Sequence, residues 1–341
     1  MKRIDGPDIL RAFAIICVIA CHTGIFNTTA GGVGNKIFFV MAGFLSAMSL
    51  SKKDKKPFSF KDTGRYYKKK ILRIIPSYET VLAAAFFLVP GFFVFKDLQA
   101  DNNIILNMFF LKGYGHLWFM QQMMLMYLLA PFIVFFCDRL LIWLSGKKGF
   151  SIASVTVSAL LFLLAICEKY FLTEDIFALS GAGSHRQFQL WMFLAGMSAF
   201  YLAGGLKERI VIHPVIPDSL LLLVLLLLTL SAVIPDGSRY IKFISLFQGE
   251  WIRTVFAALL MLMFSIGGDK GTGFIKKLTD LRPVKLISAM SYDMYLIHFF
   301  LINFFSFTGA GLCFIIVFVL SLGTATVLKK CYNMIIWISD R

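Results

Sequence analysis

Long apolar stretches alternate with shorter polar segments along the whole chain. The stretches 220–234 and 312–328 approach the roughly 20 residues that an α-helix needs to cross about 30 Å of hydrocarbon. A membrane β-barrel would instead alternate apolar and polar positions within segments of about ten residues, and the sequence lacks that alternation. Because a backbone in lipid must satisfy its own hydrogen bonds, the pattern predicts membrane-spanning helices.

The pattern predicts about ten such helices and therefore an all-α, polytopic transmembrane bundle. The predicted spans are 9–26, 37–50, 77–95, 117–136, 152–172, 188–205, 219–234, 251–267, 286–305 and 309–328. The first span resembles the core of a signal peptide, but it contains Arg11 and His22 and lacks a small-residue cleavage site. We therefore interpret it as a retained first helix.

Composition agrees with a membrane location. Hydrophobic residues make up 58% of the 341 positions and charged residues 16%, which is more apolar surface than a soluble fold buries. A cytoplasmic N-terminus places most of the 34 Lys and Arg residues in cytoplasmic segments, as the positive-inside rule requires. Both termini are then predicted to be cytoplasmic. The outer segments hold Lys36, Lys112, Arg186, Arg239 and Lys242.

The net charge of +15 follows mainly from this predicted topology. A basic cytoplasmic surface also attracts anionic lipid head groups or an anionic cosubstrate. Binding of a nucleic acid is the weaker interpretation, so no nucleic-acid partner is expected.

The six cysteines lie mostly within predicted spans, and their spacing is not typical of a zinc site or a disulfide framework. We therefore predict no metal. No internal repeat, low-complexity tract or long polar insertion divides the chain, so residues 1–341 are interpreted as one integral membrane domain. Whether the protein forms a homo-oligomer stays open.

Ionisable residues inside a predicted span are costly, and the first span contains two of them. Eleven positions separate Arg11 from His22, so they share one helix face about 16 Å apart along the axis. Asp8 lies one turn before Arg11 and is expected to pair with it. One interpretation is a functional track along the helix; the alternative is that Arg11 reaches lipid phosphates and His22 bonds a neighbouring carbonyl.

The segment 52–73 is strongly basic and leads directly into the third span. Lys70 and Arg73 are three positions apart, so they lie on one side of a helical turn. These two residues are candidates for a phosphate-binding pair at a membrane mouth. The alternative is that the whole segment anchors the chain to the cytoplasmic surface.

Two further short blocks contain histidines, one at the start of a predicted span and one deeper within a span. His116 and Trp118 open the fourth span on the predicted outer side, where a Trp is commonly an interfacial residue. Tyr295 and His298 are three positions apart in the ninth span and therefore share a helix face.

Five blocks of this sequence, in order, resemble the acyltransferase family 3 of multi-spanning membrane enzymes. The first runs from Asp8 and includes the Arg11-(ten residues)-His22 spacing, and the second is 38–45, with Ala42 where the family has Ser. The third is 70–78, in which Lys70 replaces the first Arg of the family's RxxR element. The other two are 116–119 and 291–298, so the resemblance covers most of the chain. Because no hydrolase-like domain is expected after the last span, the resemblance implies the family's stand-alone form.

The resemblance implies a transfer reaction in the cell membrane. An acyl group, expected to be acetyl, would move from cytoplasmic acyl-CoA to a hydroxyl of a cell-surface or lipid-linked glycan. Arg73, Lys70 and Arg11 would meet the phosphates of the cosubstrate, and His22 would be the catalytic base, with Arg11 in the same track. The supporting or substrate-side candidates are Asp8, His116, Trp118, Tyr295 and His298.

Two other classes of protein fit the same residues. A transporter or flippase of a small solute or lipid-linked sugar would cross the membrane as often and do no chemistry, but it is expected to show broken helices and related halves. A membrane scaffold or sensing subunit would use Arg11 and His22 as structural residues. Hydrolysis of an acyl-CoA thioester separates an enzyme from both.

Overall fold

The structure, a computed structural model, describes residues 6–26, 28–51, 60–89, 91–171, 189–207, 215–233, 249–267 and 273–339. Two 3₁₀ turns, Gly115–Leu117 and Ser306–Thr308, precede the fifth and the last helix. Within these ranges the fold is all-helical, as the sequence predicts. The helices in chain order are α1 Gly6–His22, α2 Thr28–Leu50, α3 Phe60–Leu88, α4 Ile104–Met108, α5 Trp118–Lys148, α6 Phe150–Phe171, α7 Leu190–Leu206, α8 Val215–Val233, α9 Glu250–Gly267, α10 Gly273–Asp280, α11 Arg282–Phe305 and α12 Ala310–Ser339.

Each of the ten predicted spans coincides with one of these helices, although several boundaries differ. By length and composition, six helices within the described ranges can cross a membrane: α2, α3, α5, α6, α11 and α12. The chain is therefore a multi-pass membrane protein. Ten crossings and cytoplasmic termini stay predictions. The predicted span ends Leu172, Phe188 and Ile234 lie outside the described residues.

Helices α1 and α2 form a tight hairpin whose boundaries differ from the predicted spans. α1 ends at His22, before the predicted residue 26, because the nearby Gly24 has a φ of 80° and turns the chain. α2 begins at Thr28, before the predicted residue 37, although its first turns are rich in glycine. Gly34 there lies against the carbonyl of Ala14, so the absence of a side chain lets the two helices approach closely.

Helix α3 continues without a break from the basic segment into the apolar span. It covers Phe60–Leu88, so the predicted span 77–95 is wrong at both ends. The start differs because a hydropathy pattern excludes Lys and Arg from an apolar span, whereas both residues favour the helical conformation nearly as well as apolar residues do. The end differs because Gly91, with a φ of 79°, turns the chain. Lys70 and Arg73 therefore lie on the same helix as the span they precede.

Helix α2 lies at the centre of the bundle and packs against α1 on one side and α7 on the other. The contact with α7 depends on two glycines: a Cβ on Gly43 would collide with the carbonyl of Phe193, and one on Gly196 with the carbonyl of Val40. Small residues at such crossings let helix backbones touch, which is how helices associate in lipid. Helix α11 also packs against α1 and so completes the site described next.

Large apolar side chains remain exposed on the outer helices of the bundle. Examples are Phe132 and Phe136 on α5 and Ile315 and Val319 on α12. Exposed apolar surface of this kind marks the faces that lipid covers in a membrane protein. The buried polar residues described below instead lie where α1, α3, α5 and α11 meet.

Candidate functional site

A pair of histidines lies where the last turn of α1 meets α11. The Nδ1 atom of His22 is 2.7 Å from the Nε2 atom of His298, although the two residues are 276 positions apart in the sequence. The two rings are nearly parallel, and His22 is exposed whereas His298 is completely buried. The structure therefore gives the exposed imidazole a fixed partner that the sequence pattern does not connect to it.

Hydrogen bonds define which nitrogen of each ring carries a proton. The Nδ1 atom of His298 is 2.7 Å from the carbonyl oxygen of Tyr295, and a carbonyl only accepts, so that nitrogen donates. In a neutral His298 the Nε2 atom is then an acceptor, and the Nδ1 atom of His22 donates to it. The free lone pair of a neutral His22 is consequently on its Nε2 atom, where it can accept a proton.

His116 and Tyr295 fasten the turn Gly115–Leu117 to α11. The Nε2 atom of His116 donates to the carbonyl of Leu296 at 3.2 Å, and the hydroxyl of Tyr295 donates to the carbonyl of His116 at 2.7 Å. Both side chains are almost fully buried. His116 thus acts here as a buried structural contact next to His298, with ring centroids 5.4 Å apart.

Trp118 lies one position into the next helix and is half-buried. The centroid of its ring lies 6.3 Å from that of Phe39 and 6.2 Å from that of Phe119. The ring centroids of Phe119 and Tyr295 are in turn 4.8 Å apart. Trp118 therefore lies behind the layer that contains Tyr295, and its predicted supporting role stays a prediction.

Arg11 lies near the opposite end of α1 and is held by a buried carboxylate. Asp8 Oδ1 accepts from Arg11 Nη1 at 3.1 Å, as the sequence spacing predicts, and also from the hydroxyl of Ser288 on α11 at 2.8 Å. Because Asp8 is buried and oriented by Ser288, it fixes the direction of the guanidinium. Ser288 was not a sequence candidate, although it lies three positions before the block 291–298.

Lys70 and Arg73 of α3 reach the same end of the bundle. The Nζ atom of Lys70 lies 3.7 Å from the ring centroid of Tyr127 and 5.3 Å from that of Tyr66, which is the geometry of a cation–π contact. Arg73 is exposed. Among the described residues, the ion pairs at this end include Asp8 with Arg11 but none with Lys70 or Arg73. Arg11 is therefore the cation of this group that forms an ion pair among the described residues, and the buried carboxylate of Asp293 interacts electrostatically with Arg73.

A cavity of about 110 Å³ brings these cations together with apolar side chains. Arg11, Lys70 and Arg73 line one end, which we call the cationic end. Phe38, Phe119 and Tyr295 line the other, which we call the aromatic end. On α5 the lining runs from Phe119 to Tyr127, eight residues, so the cavity follows the helix for about 12 Å.

Met41, Ala42, Met120 and Met123 line the cavity between its two ends. Flexible methionine side chains adapt to irregular apolar ligands, so this middle part suits a thin, largely apolar chain. Ala42 contributes no polar atom, whereas a Ser there would have placed a hydroxyl in the wall. A ligand of this cavity is therefore expected to be anionic at one end and slender along the rest, where the wall is mostly apolar but also includes Ser291, Tyr292 and Tyr295.

The sequence candidates thus form two groups that meet at Tyr295. Arg11, Lys70, Arg73 and Tyr295 line the cavity, whereas His22 does not line it and lies beyond Tyr295 with His298. Sequence reasoning missed Tyr127, whose only signal is its position two turns after Phe119. In the described ranges no group of three or more His, Cys, Asp or Glu side chains is arranged to hold a metal ion.

Comparison with known proteins adds a family match. The sequence model described as "Acyltransferase domain" matches residues 4–329. Proteins named O-acetyltransferase OatA from Staphylococcus aureus strains NCTC 8325 / PS 47 and COL are 21% identical to the chain over 328 residues. The match covers 89% of this chain and 51% of each of those proteins, so the chain spans about half the length of the curated relatives it matches. No solved structure matches the chain significantly.

Proposed function

The chain belongs to the acyltransferase domain family and is an O-acyltransferase, and from that premise we propose that it transfers an acyl group from acyl-CoA to a glycan hydroxyl. The expected acyl group is acetyl, because the named relatives are O-acetyltransferases. The acceptor is a cell-surface or lipid-linked glycan. We assign the protein to the cell membrane, with the cationic end of the cavity facing the cytoplasm and residues 1–341 acting as one domain.

The observation that carries the proposal is the convergence of Arg11, Lys70 and Arg73 on one cavity with an apolar interior. Among the described residues, these three cations share one ion pair, that of Arg11 with Asp8, so their combined charge attracts a polyanion. The nucleotide part of CoA carries phosphates at one end of the molecule. Arg73 is exposed and binds first, while Arg11 is held in place by Asp8. Lys70 supplies a point charge rather than a fork, and Tyr127 positions it.

The remainder of the donor fits the rest of the cavity. An extended pantetheine arm is longer than ten ångströms, comparable to the roughly 12 Å over which α5 lines the cavity from Tyr127 to Phe119. The methionine-lined middle part surrounds the arm, and the acyl end reaches the aromatic end. The thioester is then next to Tyr295, whose carbonyl bonds the residue that orients His22.

The chemistry follows from the protonation states of the histidine pair. His22 Nε2 accepts the proton of the acceptor hydroxyl as its oxygen attacks the thioester carbonyl carbon, and His298 accepts from His22 Nδ1 and holds the ring. The carbon–sulfur bond breaks, the CoA thiolate leaves, and it takes the proton from the imidazolium of His22. The products are the acyl ester and CoA thiol. In the two-step alternative the same nitrogen is acylated first, and a trapped acyl-histidine would identify that route.

Tyr295 and Phe119 line the cavity and contact each other, and the ring centroid of Tyr295 lies 5.5 Å from that of His298, the partner of His22. In the proposed reaction the ring of Tyr295 turns aside to bring the thioester to His22, which breaks the hydrogen bond of Tyr295 to the carbonyl of His116. Such a step keeps the acyl donor away from water until the acceptor is bound.

The test uses purified protein in lipid nanodiscs free of sugar detergents, with release of CoA thiol from acetyl-CoA as the readout. We expect slow thioester cleavage without acceptor and faster cleavage with one. His22→Ala should lower the transfer rate by roughly 10²- to 10⁴-fold, the usual contribution of a general base. Cys21→Ala, the neighbouring position on α1, is the matched control and should keep the wild-type rate.

The same measurement distinguishes an enzyme from the other two classes of protein that fit the sequence. A transporter, flippase or scaffold would release no CoA thiol at all. Equal rates for folded His22→Ala and wild-type protein would show that another group is the base.

A further inference from the structure

The chain between α3 and α5 is fixed by two buried asparagine side chains. Asn103 and Asn107 are both completely buried. Asn103 Nδ2 donates to the carbonyls of Phe95 and Asp97, and its Oδ1 accepts from the backbone N–H of Leu106. Asn107 Oδ1 accepts from the backbone N–H of Tyr114 at 2.9 Å. Long connections held this firmly are commonly binding elements rather than simple links.

This ordered segment presents aromatic rings beside the histidine pair. The ring centroid of Phe92 lies 5.3 Å from that of Tyr114 and 6.3 Å from that of Phe299 on α11. The ring centroids of Phe299 and His22 are 5.5 Å apart. Gly115 fits against both phenylalanines, since an added Cβ would lie 3.8 Å from Phe92 and 3.9 Å from Phe299. We call Phe92, Tyr114 and Phe299 the aromatic floor.

The rings of the aromatic floor are half-buried, unlike the packed rings behind them. Phe93 and Phe300, their sequence neighbours, are only 5% and 7% exposed. The floor therefore keeps part of its surface accessible next to the exposed His22. Lys96, Asp97, Asp101 and Lys112 of the same segment carry no net charge together, and Lys112 pairs with Asp101 at 3.1 Å.

We propose that the aromatic floor is the acceptor subsite and that it binds a neutral pyranose ring; this inference rests on the proposed transferase function. The apolar C–H face of a pyranose stacks on aromatic rings, while its hydroxyls remain at the edge. The planes of Phe299 and Phe92 are inclined by 66°, so the sugar stacks on one ring, Phe299, while Phe92 borders it. Because Phe299 meets His22 edge to face, a hydroxyl at the edge of the sugar then lies beside His22 Nε2, the nitrogen with the free lone pair. The absence of net charge in the segment favours a neutral sugar over a polyanion.

The first test measures which alcohols the wild-type protein acylates. Methyl glucoside, dodecyl glucoside and the open-chain polyol sorbitol are compared as acceptors in nanodiscs with acetyl-CoA. The floor predicts lower KM values for both glucosides than for sorbitol, because only a ring presents a flat apolar face. A further decrease for dodecyl glucoside would identify a lipid-linked sugar as the source of the ring, and equal values for the two glucosides would identify a free glycan.

The second test compares Phe92→Leu and Tyr114→Leu with the matched control Phe109→Leu. Phe109 lies in the same segment and is 71% exposed, outside the aromatic floor. The two floor variants should raise the KM for methyl glucoside about tenfold, the effect of losing one aromatic contact, and raise the KM for acetyl-CoA less. Phe109→Leu should keep the wild-type acceptor KM.

The outcomes distinguish this inference from the proposed function. Equal use of sorbitol and glucosides by the wild-type protein, or unchanged acceptor KM in folded floor variants, would overturn the subsite and leave the transferase intact. No acyl transfer to any alcohol, with no cleavage of acetyl-CoA, would overturn the transferase itself. The wild-type comparison requires no variant, so it decides the matter even if a variant fails to fold.

Discussion

The imidazole of His298 has the carbonyl of Tyr295 on one side and His22 on the other. We expect His298→Leu to lower transfer by about a hundredfold, near the low end of what a general base contributes, because His22 loses its orientation and its defined tautomer. His298→Gln should retain more activity, since an amide oxygen accepts from His22 Nδ1. Rates and thermal unfolding are measured together, and equal rates for the two folded variants would contradict the positioning role.

Substitutions of Arg73 and Lys70 test whether the cationic end of the cavity binds the phosphates of CoA. Arg73→Ala should raise the KM for acetyl-CoA by roughly 10- to 100-fold, the contribution of a charged hydrogen bond, and should change the KM for acetyl-pantetheine much less. Lys70→Arg should be tolerated, because a guanidinium also stacks on Tyr127. Equal losses with both donors would instead support the view that these residues anchor the chain to the membrane surface.

At the scale of elements, the contact of α2 with α7 fixes the position of α2, which forms part of the cavity wall. α2 carries Phe38, Met41 and Ala42, and Gly43 lets it touch the backbone of α7. Any side chain at Gly43 must push the helices apart. The wall of the proposed donor cavity then moves with α2.

Gly43→Ala should therefore destabilise the protein by about 1–3 kcal/mol, the usual cost of overpacking, and should raise the KM for acetyl-CoA. Gly323→Ala on α12 is the matched control, since a Cβ there meets no atom within 4 Å. Thermal unfolding in nanodiscs measures the first effect and steady-state kinetics the second. If Gly43→Ala were as stable as the control, α2 and α7 would be able to move apart without a loss in the free energy of unfolding, which would contradict the prediction.

At the scale of the whole molecule, the orientation in the membrane is testable because α5 joins the two ends of the site. α5 begins beside the histidines and ends at Lys148, about 46 Å away if all its 31 residues rise as in an ideal helix. Two exposed lysines mark the two ends of α5: Lys96 lies in the connection that precedes it, and Lys147 lies in its last turn. The positive-inside rule places the second of these in the cytoplasm.

In a cysteine-free background, Lys96→Cys should react with a membrane-impermeant maleimide added to intact cells. Lys147→Cys should react only after the membrane is opened. Labelling of Lys147→Cys alone from outside would reverse the predicted topology and place the cationic end of the cavity away from the cytoplasmic acyl-CoA pool. Labelling of both positions from outside would place the two residues on the same side and contradict the prediction.

Much of this architecture is encoded locally. All ten apolar segments correspond to helices, because hydrophobic length is a property of consecutive residues and lipid leaves the backbone no alternative to a helix. The pairing of Asp8 with Arg11 was equally predictable, since three positions along a helix bring side chains together. The starts of α2 and α3 were not predictable in this way, because glycines are not strongly apolar and lysines are polar, so both fall outside an apolar stretch although they are helical here.

The sequence by itself determined that this protein crosses a membrane repeatedly, that it carries costly polar residues within apolar helices, and which family motifs they belong to. Only the tertiary structure decided that His22 bonds His298, that Lys70 lies over Tyr127, and that Arg11 lines the cavity whereas His22 does not. The physical reason is that helical periodicity fixes neighbours three and four positions apart, whereas these contacts join different helices. Their geometry depends on how glycine contacts and buried hydrogen bonds set those helices against one another.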